Sequence, residues 1–214
     1  ITGSLDASCP GGNDGAATVV VTDGTSPYTY LWDDPFPSTT TSTVNNLIAG
    51  TYTVTITDAN GCVTTVSVVI NEPPALIACI SSSFDPNCNG SCDGFAIATA
   101  VGGTSPYTWL WDDPLAQTTA TADSLCVGTY QVTVTDANSC TTSVSVTLAE
   151  PPPLLAPFTK TDAVCAGACD GTATVTPSGG TPSYAYSWNT SPIQTTPIAT
   201  GLCAGSYIIA ITDA

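Results

Sequence analysis

A thirteen-residue segment recurs along the chain and limits the possible folds more than any other feature. It occupies residues 50–62 and 128–140, and a third, shorter copy covers residues 205–214. In the first two copies, large apolar residues alternate with Thr or Gln, which is the period of a half-buried β-strand. The Asp-Ala-Asn sequence that follows predicts a turn, and residues 63–70 read as the returning strand. A hairpin that occurs three times predicts a repeat protein.

The spacing of the repeats sets the domain organisation. Trp32, Trp111 and Trp188 are 79 and 77 residues apart, and a segment of that size can bury its own small core. No stretch has the period of an amphipathic helix. The sequence therefore predicts an all-β chain of three tandem immunoglobulin-like β-sandwiches arranged end to end, with about seven short strands each. The predicted domains are residues 1–73, 74–152 and 153–214, separated by short proline runs that favour extended, semi-rigid spacers.

Aromatic residues recur at two strand positions of every repeat. One is a Trp on the predicted third strand, and the other is a Tyr at the start of the predicted sixth strand. Aromatics repeated at the same strand positions are more typical of a core than of a ligand site. The predicted core aromatics are Trp32, Tyr52, Trp111, Tyr130, Trp188 and Tyr207.

The charge balance excludes several classes of function. The chain has 17 acidic residues, a single basic residue, Lys160, and no His, which gives a net charge of −16. Such a chain has almost nothing with which to neutralise phosphates, so nucleic acid is excluded as a partner. Neither a catalytic base constellation nor a membrane span can be read from the sequence. We expect a chain that is not an enzyme, needs no cofactor and does not insert into a membrane.

The ten cysteines indicate an oxidising, extracellular compartment. Repeats 2 and 3 each have two cysteines at positions where repeat 1 has Asn13 and Ile48. Residues that are gained and lost together are expected to pair. The predicted disulfides within repeats are Cys92–Cys126 and Cys169–Cys203.

A further cysteine pair has two possible arrangements. Cys9 lies in the first loop of its repeat and Cys62 at the opposite end of the strands, about 26 Å away, whereas a disulfide needs a Cα separation of about 6 Å. The geometry favours a Cys9–Cys140 bridge between repeats 1 and 2. The alternative, Cys9–Cys62 together with Cys88–Cys140, stays open. With the Cys9–Cys140 bridge, Cys88 and Cys165 are expected to pair with partners further along, and Cys79 receives no partner in either arrangement.

The third repeat stops before its predicted final strand. One interpretation is that the sequence is an excised part of a longer secreted chain, which agrees with its start at Ile1 and the lack of a visible signal peptide. The other is strand donation, in which residues 1–8 of a neighbouring copy fill the gap and build a fibre.

Two pairs of aspartates follow the third predicted strand and are candidate Ca²⁺ ligands: Asp33, Asp34, Asp112 and Asp113. Ca²⁺ requires six to eight oxygen ligands, and repeat 3 has Asn189 and Thr190 at these positions. Solvated turn carboxylates are the alternative interpretation.

Several motifs together resemble a known family. These are the segment at residues 102–111, the Gly-Thr-Tyr-x-Val-Thr-x-Thr-Asp-Ala-Asn-x-Cys hairpin, the Cys-x-x-x-x-Asp-Gly loop and the Glu-Pro-Pro exit. They resemble the SprB-type repeat of Bacteroidota surface proteins, with a looser similarity to polycystic-kidney-disease-type domains. The resemblance implies very large cell-surface adhesins exported by the type 9 secretion system, some of them tracks for gliding motility. It also implies O-glycosylation at Ser124.

The sequence thus favours a structural role. We expect a disulfide-stabilised rod segment of an extracellular filament or cell-surface adhesin, whose partners are further repeats or other copies of the chain. The alternative is an adhesive module that binds a surface glycan or a protein through loops at the domain ends.

Overall fold

The computed structural model describes residues 1–34 and 38–214, and within these ranges the regular structure consists of β-strands, with no helix. The strands of repeat 1 are β1 (Gly3–Leu5), β2 (Gly15–Thr18), β3 (Thr29–Trp32), β4 (Thr43–Leu47), β5 (Gly50–Thr57) and β6 (Val63–Ile70). Those of repeat 2 are β7 (Ile77–Phe84), β8 (Gly94–Val101), β9 (Thr108–Trp111), β10 (Thr121–Leu125), β11 (Gly128–Thr135) and β12 (Thr141–Leu148). Those of repeat 3 are β13 (Phe158–Thr161), β14 (Gly171–Val175), β15 (Ala185–Trp188), β16 (Ile198–Leu202) and β17 (Ile209–Thr212).

Each repeat divides its strands between two small antiparallel sheets. The orders are β1-β2-β4 and β3-β5-β6 in repeat 1, and β7-β8-β10 and β9-β11-β12 in repeat 2. In repeat 3 they are β13-β14-β16 and the two-stranded sheet β15-β17. The chain is therefore all-β, with the two-sheet arrangement of tandem immunoglobulin-like repeats.

The described part of repeat 1 has six strands, whereas about seven were expected. Residues 39–42 are rich in Thr and Ser but form no strand, and β4 begins only at Thr43. The reason is that Thr39 and Thr41 direct their carbonyls at Trp32, accepting hydrogen bonds from its backbone N (3.1 Å) and its indole Nε1 (3.0 Å). Backbone groups used in this way are not available to a sheet ladder.

The core of repeat 1 lies between its two sheets. Along β5 the side chains of Tyr52, Val54 and Ile56 are buried, while the intervening threonines are half-exposed. Trp32 and Ile70, each 1% exposed, complete this core from β3 and β6. The alternation predicted from the sequence is thus the alternation of buried and open faces of the sheet.

The described structure falls into two compact units, which do not coincide with the predicted domains. The first contains Ile1–Ser81, Ala98–Ala120 and Gln131–Ser145, and the second contains Ser82–Ile97, Thr121–Tyr130 and Val146–Ala214. Repeat 1 lies in the first unit, repeat 3 lies in the second, and repeat 2 contributes to both. The division into domains 1–73, 74–152 and 153–214 stays a prediction.

The proline segments between repeats are packed rather than free. Gly103 N donates to Pro74 O (2.8 Å), and Gly180 N donates to Pro152 O (2.7 Å). Gly102, at φ 74°, lies so close to the Ala75 carbonyl that an added Cβ would collide with it. The Gly-Gly pair of the following repeat therefore packs against the linker. The sequence predicted the linker only as a semi-rigid spacer.

Among residues 1–34 and 38–214, the structure has no helix with the length and apolar character needed to span a membrane.

Candidate functional site: the Asp-Ala-Asn turn and its cysteine

The turn after β5 is a hydrogen-bonded polar feature of repeat 1. Asp58 Oδ1 accepts hydrogen bonds from the backbone N of Asn60 (2.9 Å) and of Cys62 (2.8 Å), and its Oδ2 accepts one from Thr25 N (3.1 Å). Asn60 Nδ2 donates to Thr25 Oγ1 (2.9 Å). These bonds, led by the one from Cys62 N, lower the pKa of Asp58. The turn therefore holds the backbone of its cysteine in a fixed position.

Repeat 2 has the same turn around Asp136, which is only 5% exposed. Asp136 Oδ1 accepts from Asn138 N and Cys140 N, each at 2.9 Å, and Oδ2 accepts from Thr104 N at 2.8 Å. Burial alone would raise the pKa of this carboxyl, but the three backbone hydrogen bonds outweigh it, and the pKa is lowered.

In repeat 2 the turn carries a covalent bond to repeat 1. The Cys9–Cys140 disulfide has a Cα–Cα distance of 5.8 Å and joins residues 131 positions apart. Asn138 Nδ2 donates to Ser8 O (2.8 Å), and Cys140 Sγ lies 3.4 Å from the same carbonyl oxygen. A hydrogen bond and a disulfide thus connect the turn of one repeat to the first loop of the preceding one.

The structure also brings together the two predicted pairs within repeats. Cys92 is bonded to Cys126, and Cys169 is bonded to Cys203. In the described part of the chain, the remaining cysteines are exposed free thiols: Cys62, Cys79, Cys88 and Cys165. The alternative pairing of Cys9 with Cys62 and of Cys88 with Cys140 is absent.

The recurring aromatic residues make the same contacts in every repeat. Trp32, Trp111 and Trp188 are 1–4% exposed, and each indole Nε1 donates to a backbone carbonyl of a nearby Thr. Each Tyr hydroxyl donates to the carbonyl four residues earlier, at 3.1–3.2 Å. Tyr52 is buried, whereas Tyr130 and Tyr207 are half-buried. These contacts are those of core packing with a hydrogen-bonded tyrosine corner.

Comparison with known families identifies the repeated segment. The SprB repeat pattern matches residues 4–35, 80–116 and 158–192, which is one match in each repeat. Three segments of this chain belong to the SprB repeat family. A search of curated protein sequences finds no match.

Three solved structures of several domains each match this chain at low sequence identity. The three N-terminal domains of the bacteriophage RB49 highly immunogenic outer capsid protein match with 18% identity and a TM-score of 0.47, covering 84% of this chain and 71% of that one. The first eight immunoglobulin domains of Down syndrome cell adhesion molecule match with 12% identity and a TM-score of 0.32, covering 82% and 26%. Immunoglobulin domains 1–5 of Sidekick-1 match with 12% identity and a TM-score of 0.33, covering 98% and 51%.

The first aspartate of each candidate Ca²⁺ pair accepts a hydrogen bond from a backbone N–H of the neighbouring strand. Asp33 Oδ1 accepts from Thr53 N (2.6 Å), and Asp112 Oδ1 accepts from Gln131 N (2.7 Å). In repeat 3, Asn189 Oδ1 accepts the same bond from Ile208 N (2.8 Å), so a neutral amide makes this contact as well.

The second aspartate of each pair is also engaged. Asp34 accepts from Thr39 N and Thr39 Oγ1. Asp113, 5% exposed, accepts from Leu115 N and from Gln117. Burial would raise the pKa of Asp113, but these bonds lower it. Among the described residues no group of three or more potential metal-ligating side chains occurs.

The glutamate in the Glu-Pro-Pro exit has a role that was not predicted from the sequence. Glu72 accepts a hydrogen bond from Gly11 N (2.6 Å), and Glu150 accepts one from Gly90 N (2.7 Å). The carboxylate thereby ties the end of β6 or β12 to the loop that carries Cys9 or Cys88. The recurrence of this glutamate at the same place in two repeats was the available signal.

Ser124, the candidate glycosylation residue, is exposed and has a positive φ of 55°. It lies where the pairing of β8 with β10 changes register between Ala122 and Leu125. Its hydroxyl donates to Asp123 Oδ1 (3.2 Å).

Proposed function

We propose that this SprB repeat chain is a length-building segment of an extracellular filament or surface adhesin, and that its role is structural rather than catalytic. In this proposal the repeats follow one another as a rod, with further repeats or copies of the chain as partners. Export by the type 9 secretion system and a link to gliding are implied by the family only.

The observation that supports the proposal most is the Cys9–Cys140 disulfide. Bridges within a domain stabilise that domain, whereas a bridge between successive repeats also limits how far they can separate. Closing a loop of 131 residues corresponds to about 5 kcal/mol of lost chain entropy in the unfolded state on the polymer model. Structural disulfides of this kind are typical of extracellular proteins.

A second observation is that the parts of the bridge recur: the turn cysteine occurs in repeats 1 and 2, and the loop cysteine occurs in all three repeats. Cys62 is held by the Asp58 turn as Cys140 is held by the Asp136 turn. Cys88 and Cys165 are exposed and occupy the loop position of Cys9. The chain therefore carries further thiols in positions suited to the same link with repeats or copies beyond these residues.

Small-angle X-ray scattering of the oxidised protein tests the rod. A compact chain of this length has a radius of gyration of about 17 Å. Three repeats in series, each one eight-residue strand plus turns in length, form a rod of about 100 Å with a radius of gyration of about 30 Å. A value near the compact figure would contradict the proposal. Retention of a glycan or protein ligand by a compact particle would instead favour the adhesive alternative.

A further inference from the structure

The last strand of repeat 1 and that of repeat 2 each lie at the edge of a sheet. In the described part of the chain, β6 pairs only with β5, and β12 pairs only with β11. Both strands have eight residues, and these are Val, Thr, Ser, Ile or Leu, with no charged residue, Pro or Gly. An edge strand of this length and composition presents a row of backbone N–H and C=O groups to other strands.

The hydrogen bonds around β5 show which backbone groups of β6 point out from the sheet. Asp58 N donates to Cys62 O (3.0 Å), and on the other side of β5 Asp33 N donates to Thr53 O (3.0 Å). Antiparallel strands alternate between hydrogen-bonded and non-hydrogen-bonded pairs, and the pairing of β5 with β6 has no register shift. The even-numbered residues of β6 therefore bond to β5. The residues whose backbone groups point outward are Val63, Thr65, Ser67 and Val69.

Nothing within residues 1–34 and 38–214 pairs with these outward groups. Only beyond the end of β6 does the chain make such a contact, where Ala7 N donates to Asn71 O (2.9 Å). Repeat 2 has the same arrangement, because Asp136 N donates to Cys140 O (3.0 Å). The outward residues of β12 are Thr141, Ser143, Ser145 and Thr147. This edge is open although repeat 2 has a repeat on either side of it in the sequence.

The other sheet edges of repeats 1 and 2 are mostly short or interrupted. β3 and β9 have four residues each, and β1 has three. The pairing of β4 with β2 and that of β10 with β8 each contain a register shift. Short strands and bulges hinder pairing with the edges of other molecules. The edge strand β7 is as long as β6, but its counterparts in repeats 1 and 3 are short. β6 and β12 are therefore the long, regular edges that two repeats share.

The charge distribution favours a second copy of this chain as the partner of these edges. Each copy has a net charge of −16 and a single basic residue, Lys160, so surfaces that bring carboxylates together repel one another. The β6 and β12 edges bring only uncharged residues together. A basic partner would find no carboxylate on them. A strand that pairs antiparallel with its own copy about a two-fold axis is also complementary to itself.

We propose that β6 forms antiparallel β-sheet with β6 of a second copy, and β12 with β12, so that chains join side by side. A two-fold axis at Val66 sets Thr65 opposite Ser67 of the second copy, and Val63 opposite Val69 of the second copy. This register uses every outward-pointing backbone group of both strands.

The lateral contact goes beyond the function proposed above, because it joins separate chains, whereas the rod is formed within one chain. The scattering test of the rod is made on single chains, so the rod and the lateral contact can fail independently.

The contact is expected to be weak. A strand of eight residues is about 27 Å long, and one pair of strands buries less than the roughly 1,200–2,000 Å² of a stable interface. We expect a dissociation constant between about 1 μM and 1 mM. Salt should strengthen the association, because it screens the repulsion between two acidic chains.

Sedimentation equilibrium of the full oxidised chain, with its free thiols blocked by iodoacetamide, tests the proposal at up to about 1 mM protein. Ser67→Pro/Ser145→Pro removes one outward N–H from each edge and no N–H that bonds within the sheet. This variant should associate at least tenfold more weakly. The matched control, Ser67→Ala/Ser145→Ala, keeps both N–H groups and should associate like the wild type. A wild type that stays monomeric at about 0.5 M NaCl, or equal association of the Pro and Ala proteins, would overturn the proposal.

Amide hydrogen exchange of the wild type, resolved by NMR, tests the same contact without a substitution that could disturb folding. In dilute protein the amides of even-numbered residues in β6 should exchange slowly, because they bond to β5, and those of odd-numbered residues should exchange quickly. In concentrated protein the odd-numbered amides should slow at least tenfold. Associated protein in which these amides stay fast, or in which the slowing is confined to β7, would contradict the proposed pairing.

Discussion

Replacing both Cys9 and Cys140 with serine should increase the length of chain that force can extend. In the oxidised protein, tension applied between Ile1 and Ala214 passes through the Cys9–Cys140 bond, so the residues between these cysteines carry no load. The Cys169–Cys203 bond shields a further 34 residues in the same way. The extensible path that remains is about 170 Å at about 3.6 Å per residue.

The size of the change follows from the disulfide positions. The Cys9–Cys140 loop spans 131 residues, of which 34 stay shielded behind Cys92–Cys126 when only the first bridge is removed. The residues released correspond to about 350 Å of contour length.

Single-molecule force spectroscopy with handles at both termini measures this quantity. The Cys9→Ser/Cys140→Ser protein should release about 350 Å more than the wild type before the chain is fully extended. As a matched control, the Cys169→Ser/Cys203→Ser protein should release only about 120 Å more. Equal total extension of the wild type and the Cys9→Ser/Cys140→Ser protein would show that the Cys9–Cys140 bond does not carry the load.

Three further predictions concern stability. Ile70→Ala should reduce the free energy of unfolding by about 2–5 kcal/mol, because it empties a fully buried site. Val69→Ala, on the open face of the same strand, should cost well under half of this. Similar losses for the two variants in urea titrations would argue against the described core. Tyr52→Phe should cost about 1 kcal/mol through loss of the hydrogen bond to Ile48 O, and an unchanged urea midpoint would show that the corner bond does not contribute. Hydrogen bonds from Ser91 and Asn87 lower the pKa of Asp93 from 3.8 to about 2, so its contribution to stability is fully present above pH 3.8 and is lost as the pH falls towards 2; Asp93→Asn should flatten the dependence of Tm on pH in this window, and identical profiles would contradict the assignment.

The hairpin was predictable from the sequence because its signals are local. The alternation in β5, the Asp-Ala-Asn turn and the returning β6 depend on neighbouring residues only, and the observed β6 has the predicted bounds, Val63–Ile70. The region before β5 was less predictable. Its carbonyls bind Trp32, and Asn46 takes a positive φ of 61° opposite a register shift in β2, which no periodic pattern reveals.

Long-range polar contacts were the least predictable part of the candidate site. Glu72 reads as part of a linker, yet it binds Gly11, 61 residues earlier. The Gly102–Gly103 pair stands in the sequence only as the start of the motif at residues 102–111, yet Gly103 N donates to Pro74 O and Gly102 packs against the Ala75 carbonyl. Such contacts depend on tertiary packing, whereas comparison among the three repeats was enough to suggest the Cys92–Cys126 and Cys169–Cys203 pairs.

Peptide mapping of the purified protein without reduction shows directly whether repeats 1 and 2 are covalently joined. Free thiols are first blocked with iodoacetamide, and the chain is then cut with a protease specific for Asp or aromatic residues. We expect linked peptides containing Cys9 with Cys140, Cys92 with Cys126 and Cys169 with Cys203, and alkylation of Cys62, Cys79, Cys88 and Cys165. A linked pair of Cys9 with Cys62, or of Cys88 with Cys140, would show that the two repeats are not joined in this way.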